Sequence, residues 1–573
     1  MLSTYERTPS GIIYKAAEQL EAPALDLLTF IFDSPHTDAH ATSVLHASAD
    51  DPRLSLTLVQ QVALLQQLAF HLRSAYGLGA RGPSRDVALA VCAGHWQLPT
   101  LFYATVCAGA IFTSASPAAT VPELTAQLCQ VDARLVYCTP ETRPVAVRAA
   151  AAAGLPADRV LMLGPGRAGW PGGGLELLVQ GGDDAAAAPQ PVRLDERQVL
   201  PWSRVTDRAA LEDSIVCILF SSGTTGTPKA VRLSHANLVS EAFLTLTPLR
   251  AHTRAHEPGH EHRTLAHLPA AHIAGVQGYF VNAAFFGGTV FWMTRFEWER
   301  FLEHNKRFRI TTFFTVPPIY LLIAKSPLVT DQFDTLEFAI SGAAPLGKEL
   351  QRAAKRRMGR GKTHLSQTWG LSETTGSVTI MPRGIEDETG SVSALVPSCL
   401  ARIVDDEHRD VEPGQSGELW VKGPMVVKGY YKNDKATQDA FVDGWLRTGD
   451  IGLFKDGLFY IVDRKKELIK YKGHQVAPAE LEALLVTHPK ILDAAVIGAP
   501  GEGTEVPRAY VVADPKQISA EEVARYVAEK ASNHKRLRGG VVFLPAIPKS
   551  PAGKILRKDL RELAKKERQS SKI

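Results

Sequence analysis

Short unbroken apolar runs alternate with segments of helical period along most of this chain, and that alternation constrains the fold more than any other feature. DVALAVCA at 86–93 and ARLVYC at 133–138 read as buried strands. Before them, Leu58, Val62, Leu65, Leu68 and Leu72 recur at three- and four-residue steps, which predicts an amphipathic helix over 55–79. Strand and helix patterns in this order predict βαβ units and a largely parallel sheet. The alternation resumes at 214–220 and runs to about Asp463, with strand-like pieces at 311–316, 338–341 and 418–422. Residues 453–462 read as a hairpin turning through Lys455-Asp456-Gly457. After Asp463 the texture becomes short and charge-rich. Ala477-Pro478-Ala479-Glu480 opens a helix with proline in its first turn, followed by strands at 493–497 and 509–513 and a helix near 519–532. The expectation is an α/β protein: a large N-terminal α/β domain over 1–463, its sheets flanked by helices, and a small α+β domain over 464–573. The Ala-, Gly- and Pro-rich stretch 149–191 is expected to be a surface excursion of low sequence complexity.

Composition narrows the function classes. Of 573 residues, 45% are hydrophobic and 22% charged, which excludes a disordered chain. The net charge of +4 is too small for a dedicated nucleic-acid binder, and it is uneven: residues 554–573 carry +5 (eight Lys/Arg, three Asp/Glu), so the preceding chain sums to −1. No nucleic-acid partner is expected. Residues 96–122 and 268–294 lack Asp, Glu, Lys and Arg and are long enough to span a bilayer, but their prolines and scattered polar residues favour buried core. No integral membrane segment is expected, and the charged N-terminus does not read as a secretory signal. Six cysteines without CxxC spacing argue against zinc or a disulfide framework and fit a reducing compartment.

The sharpest motif is SSGTTGTPK, from Ser221 to Lys229, which follows the strand-like IVCILF and precedes AVRLSH. Gly223 and Gly226 let the backbone approach an anion, while amide and hydroxyl donors from Ser221, Ser222, Thr224 and Thr225 can meet phosphate oxygens. Lys229 adds a positive charge. The spacing G-x-x-G-x-x-K is not the G-x-x-x-x-G-K-[ST] of a Walker A loop, and Gly361-Lys362-Thr363 has Arg356 where that loop needs glycine. A P-loop NTPase is excluded.

SSGTTGTPK is similar to the phosphate-loop signature of the adenylate-forming superfamily: acyl-CoA synthetases, luciferases and adenylation domains. The resemblance covers nearly the whole chain, in the family's order: GAAPL at 342–346, QTWGLSETTG at 367–376, GELWVKGPMVVKGYY at 417–431, WLRTGDIG at 445–452, VDRKKELIKYKGHQVAPAELE at 462–482 and IPKSPAGKILRKDL at 547–560. LIKYKGHQVAPAELE looks most like 4-coumarate–CoA ligases and fungal aryl- or phenylacetyl-CoA ligases.

The resemblance implies the chemistry and the roles. An acid would attack the α-phosphate of ATP to form an acyl-adenylate, from which a thiol displaces AMP; positioning and charge stabilisation carry both steps. Lys554 resembles the adenylation lysine. Asp450 and Arg464 resemble the pair holding the ribose hydroxyls, and Trp369 stands where the family has a tyrosine flanking the adenine. Gln367, Thr368 and Ser372 fall in the same nucleotide-facing segment. Glu373 resembles the Mg2+ glutamate, with Thr225 as helper. His272 aligns with a histidine near the acyl and pantetheine paths. Lys470, Lys472, Gly473 and Gln475 form a turn that faces the active site during thioester formation in related ligases, with Lys472 and Gly473 on the CoA side. Lys466 occupies the hinge about which a mobile small domain would rotate. Ala274, Gly275, Ser341, Gly342 and Ala343 look pocket-lining. Plant coumarate ligases have an aromatic residue at the position of Ala274, so this pocket is expected to take an aryl or medium-chain acid of different shape.

The resemblance therefore implies a carboxylic acid–CoA ligase using ATP, Mg2+ and CoA. Delivery of the acyl group to a carrier protein or to oxygen is the alternative, disfavoured because no carrier segment is recognisable. A non-enzymatic relic would have lost Lys229, Glu373, Asp450, Arg464 or Lys554, and all are present. Ser571-Lys572-Ile573 is one residue from the peroxisomal address Ser-Lys-Leu, which predicts an import receptor as a partner and a peroxisomal location.

Overall fold

The computed structural model describes residues 2–9, 11–166, 176–179, 190–221, 228–550 and 553–570. Its central feature is an eight-stranded sheet. Val87–Val91 pairs in parallel with Ile111–Ser114 on one side and Ala133–Cys138 on the other. Val160–Leu163 extends the sheet beyond Ala133–Cys138, and Ile215–Ser221 extends it beyond Ile111–Ser114, both in parallel. Each strand of this core is a short apolar run because both faces are covered. The expected helix is Leu58–Tyr76; it starts at a Thr57–Gln60 capping box and stops at Gly77 in the left-handed region.

The last strand, Lys229–Ser234, turns back antiparallel on Ile215–Ser221, and the register sets Ser221 opposite Lys229. The phosphate-loop motif is thus the connection of a hairpin at the sheet edge. A three-stranded parallel sheet, Thr312–Thr315, Phe338–Ser341 and His364–Gln367, and a four-stranded sheet built on Val44–Ser48 and Thr289–Trp292 complete the α/β body. A seven-stranded antiparallel sheet carries Gly417–Lys422, Trp445–Lys455 and Leu458–Arg464. Its hairpin turns through Asp456 (φ 52°) and Gly457 (φ 83°), the left-handed pair a tight two-residue turn requires.

Residues from Ile469 onward bury their own apolar side chains, among them Ile469, Leu481, Val496, Val511 and Val527, apart from the large cluster that fills the α/β body. Helices Pro478–Leu485, Ala520–Lys530 and Arg557–Ser570 accompany the sheet Asp493–Pro500, Glu505–Val512, Val541–Phe543. This small unit is docked on the body. The Lys325 ammonium donates to the carbonyl of Val486, and Gly553 lies so close to Val316 that an added Cβ would sit 3.0 Å from its Cγ2.

One expectation needs adjustment. The stretch 149–191 is not wholly a surface excursion: Val160–Leu163 is buried in the central sheet, and Leu177–Val179 and Gln190–Pro191 continue it antiparallel. The run VLML carries enough apolar surface to pair with 136–138; residues 167–175 and 180–189 of the stretch lie outside the described residues. The charge-free run 268–294 folds into helical turns, a π-helical segment Val276–Asn282 and the strand Thr289–Trp292. Among the described residues, no helix is long and apolar enough to cross a membrane.

Candidate active site

Asp450 and Arg464 are cross-strand neighbours in the register of Trp445–Lys455 against Leu458–Arg464. Arg464 Nε lies 3.2 Å from Asp450 Oδ1. The second oxygen, Oδ2, accepts the indole N–H of Trp369 at 2.8 Å. The carboxylate is therefore fixed from two sides, with lone pairs left to accept hydroxyl groups. Trp369 itself is only 6% exposed, and its indole N–H holds Asp450.

The buried side-chain amide of Gln367 is spent within the protein, accepting from the Leu346 N–H and donating to Gln351 Oε1. Thr368 and Ser372 do line the cavity described below.

Glu373 sits in a short helical turn, Ser372–Thr374. Its Oε1 accepts the hydroxyls of Ser221 (3.2 Å) and Tyr430 (2.9 Å). The Lys229 ammonium stands 4.7 Å from the centre of the Tyr430 ring. One contact network thus joins both ends of the phosphate loop to Glu373, Ser221 directly and Lys229 through Tyr430. Burial, followed by the neighbouring Glu373 charge, pushes the Tyr430 phenol pKa upward, so it remains a hydrogen-bond donor. Sequence reasoning did not single out Tyr430; its only trace is the aromatic pair in KGYY. Ser222, Gly223, Thr224, Thr225 and Gly226 lie outside the described residues.

A cavity of about 160 Å³ opens beside these groups. Lys554 and His272 line it together with Ala274, Ala343, Thr368 and Ser372. The Lys554 turn is closed by its own hydrogen bonds: Ser550 N–H donates to the Lys554 carbonyl at 2.8 Å, and the Lys554 N–H donates to Ser550 Oγ at 3.2 Å. Burial and the nearby Arg464 charge lower the Lys554 pKa, opposed by Asp450 and Glu373. His272 caps the turn Ile273–Gly275, its Nδ1 accepting the Ala274 N–H at 3.3 Å. Burial, then the Lys554 charge, lowers its pKa to about 3, so the imidazole is neutral near physiological pH.

Three of the five expected pocket residues do not line this cavity. At Gly275 an added Cβ would meet the Pro269 carbonyl oxygen at 2.4 Å, and at Gly342 it would meet the Phe314 ring at 2.6 Å. Both glycines allow close packing of neighbours instead of forming a wall. Ser341 ends the strand Phe338–Ser341 and is buried within the body. Ala274 and Ala343 are the two at the cavity.

Lys470, Lys472, Gly473 and Gln475 are not brought to the cavity either. They form the hairpin Ile469–Tyr471 and His474–Val476, whose turn has Lys472 at φ 45° and Gly473 at φ 81°. Lys470 and Gln475 are exposed, and Lys470 and Lys472 donate their backbone N–H groups to Glu505 and Thr504 within the small unit. Lys466 lies in the turn that joins Arg464 to this unit.

Comparison with known proteins agrees with this arrangement. Residues 37–431 match the family described as AMP-binding enzyme, and residues 480–554 match the AMP-binding enzyme C-terminal domain. A provisionally named acyl-coenzyme A synthetase of Emericella nidulans is 45% identical over 559 residues, 96% of this chain and 98% of that one. The phenylacetyl-CoA ligase of Aspergillus niger is 32% identical, covering 96% and 99%. Among solved structures, ATP-bound MatB of Rhodopseudomonas palustris superposes with a TM-score of 0.76 at 25% identity, covering 94% of this chain and 99% of that one. The apo form of MatB superposes at 0.66, with 95% and 99% covered. The chain belongs to the AMP-binding enzymes, the adenylate-forming family that includes the acyl-CoA synthetases and 4-coumarate–CoA ligases.

Proposed function

We propose that the protein is an ATP-dependent carboxylic acid–CoA ligase acting on an aryl or medium-chain acid. The observation that carries this reading is the convergence of Lys554 and His272 on one largely apolar cavity beside the Asp450–Arg464 pair. In the first half-reaction the acid's carboxylate attacks the α-phosphorus of ATP, the α–β P–O bond breaks, and pyrophosphate leaves. The Lys554 ammonium stabilises charge on the carboxylate and α-phosphate, acting as a preorganised cation in a recessed site. Asp450 accepts the ribose hydroxyls while Trp369 and Arg464 keep it in place. The phosphate loop from Ser221 to Lys229 holds the anionic chain. In the second half-reaction the CoA thiol loses its proton, attacks the acyl carbonyl, and AMP departs.

Glu373 fits a hard cation: one carboxylate, with substrate phosphates and water completing the shell, is the arrangement Mg2+ favours. When bound, Mg2+ would neutralise phosphate charge. Glu373 would hold it, with Thr225.

We assign the domain division to 463/464 and the hinge to Lys466. Three observations support an adenylation pose: Lys554 points into the cavity, Lys470 and Gln475 face solvent, and ATP-bound MatB superposes better than its apo form. Rotation of the small domain would exchange the Lys554 face for the Lys470–Gln475 face. An assay of pyrophosphate release and CoA-thioester formation tests the reading. Lys554→Ala is expected to lose pyrophosphate formation by roughly 10²–10³-fold, the scale of one electrostatic stabiliser. It should spare thioester formation from supplied acyl-adenylate, and equal loss of both half-reactions would remove the assignment. The Ser571-Lys572-Ile573 ending lies outside the described residues.

A further inference from the structure

The helix Pro478–Leu485 is the first beyond Lys466, and its own sequence caps neither end with a side chain. Ala477 precedes it and has no side-chain acceptor, and its last turn holds no basic residue. Its two glutamates are engaged elsewhere in the small unit: Glu480 accepts the Lys535 ammonium and Glu482 the Arg557 guanidinium. Helix ends left this way carry unpaired N–H and C=O groups and a partial charge, positive at the start and negative at the finish.

Both ends are completed by the large body. At the start, Asp463, only 5% exposed in the strand Leu458–Arg464, accepts the Ala479 N–H on Oδ2 at 2.9 Å. At the finish, Lys325, the last residue of the helix Pro317–Lys325, donates from its ammonium to the Val486 carbonyl at 3.0 Å and to the Ile491 carbonyl. Both hydrogen bonds that this side chain makes among the described residues thus cross to the small unit. Each charge has the sign that the adjoining helix end favours. Between the two, the helix lies against Gly347, where an added Cβ would come 3.2 Å from the Ala483 Cβ. The division at 463/464 runs through all three contacts, with Asp463, Lys325 and Gly347 on one side and the helix on the other.

Two fixed points define an axis. Eight residues at 1.5 Å each set the charged contacts about 12 Å apart, so a rotation of the small unit keeps both only if its axis runs along this helix. Any other rotation breaks at least one. Resting on the ligase and hinge reading above, we infer that Lys325 and Asp463 are positioning residues for the first half-reaction. From the body they complete the helix Pro478–Leu485 at its two ends, which holds Lys554 in the cavity, and they release it for thioester formation. Neither touches the substrate; they act on the ratio of the two poses.

The test measures the half-reactions separately in the full chain: acid-dependent pyrophosphate release, and CoA-thioester formation from supplied acyl-adenylate. Phenylacetate, 4-coumarate and octanoate are the probes, and the acid that the wild type turns over fastest is carried forward. For poses that exchange faster than chemistry, the ratio of the two rates scales with the ratio of the two poses, so a shift shows in full whichever pose dominates. Lys325→Met should lower the ratio of pyrophosphate release to thioester formation by about 5-fold or more, the upper scale of one charge at a helix end. Lys325→Arg should keep most of the wild-type ratio, and Asp463→Asn should lower it from the other end. A merely structural role would move both rates together or neither. An unchanged ratio in Lys325→Met, a loss shared equally by both steps, or a ratio that rises overturns the inference. If Lys325→Met does not fold, Asp463→Asn carries the same test with the same outcomes. Failure of the wild type to release pyrophosphate with any probe would instead strike the ligase reading, and equal loss of both half-reactions in Lys554→Ala would strike the hinge. A protein that passes both checks while Lys325→Met keeps its ratio strikes only this inference.

Discussion

Glu241, buried in the cavity wall on the helix His235–His256, makes a prediction that needs no substrate. Its pKa rises from 4.5 in the unfolded chain to about 8 in the folded protein, so the folded state binds the proton more tightly. Stability from this group is fully present below about pH 4.5 and is lost as pH rises through about 8. Glu241→Gln removes the titration. The wild type should therefore lose ground to the Gln variant in thermal denaturation as pH climbs from about 5 to about 8.5. A difference in Tm that stays flat across that range would mean the carboxyl is not buried as described. His272 titrates the other way: with its pKa lowered to about 3, its neutral form is favoured on folding, and the stability it contributes is lost only in acid.

At the scale of elements, the cavity wall depends on a short helical connection. The turn Ile273–Gly275 and the π-helical Val276–Asn282 that follows carry Ala274, Gln277, Gly278 and Asn282 to the cavity. A π-helical segment shifts side chains relative to an α-helix and is frequent where function requires it. Ala274 is the small member of this wall. Ala274→Tyr should shrink the cavity and penalise the bulkier acids most, leaving short ones comparatively unaffected. The check is kcat/KM across a series of acids of increasing size; a uniform loss would take residue 274 out of the wall. Gly275, one residue on, is a contrast: its missing Cβ leaves room for the Pro269 carbonyl, so its smallness serves packing, not acyl specificity.

On the scale of the whole molecule, two bodies share one site. The α/β body contributes Glu373, Asp450 and His272, and the small unit contributes Lys554 through a turn resting on Val316. Among the described residues the Lys466 N–H makes no backbone hydrogen bond, so Lys466→Pro removes no such bond while fixing φ near −65°. Stiffening there should leave pyrophosphate release largely intact and slow thioester formation by up to ~10²-fold, the cost of misplaced reacting groups. Single-turnover measurement of each half-reaction checks this; a second step at full speed would remove Lys466 from the hinge.

The sequence alone determined the apolar strands of a largely parallel core, the hairpin turn at Asp456-Gly457, the helix opened by Pro478 and the motif order that marks the family. Those features are local: a strand's period, a turn's φ requirement or a proline's missing N–H acts within a few residues. It did not determine which side of an element meets a cavity. Ser341, Gly342 and Gly275 are small residues near the pocket in sequence, yet Phe314 and the Pro269 carbonyl fill the space beside the two glycines. Trp369 and Gln367 sit in a nucleotide-binding motif, but their polar atoms are taken by Asp450, Leu346 and Gln351, partners 16 or more residues away. Tyr430 and Glu241 emerged only when distant segments packed around them. Burial and hydrogen-bond partnership are properties of the assembled tertiary structure, and here they separate the residues that hold the site from those that line it.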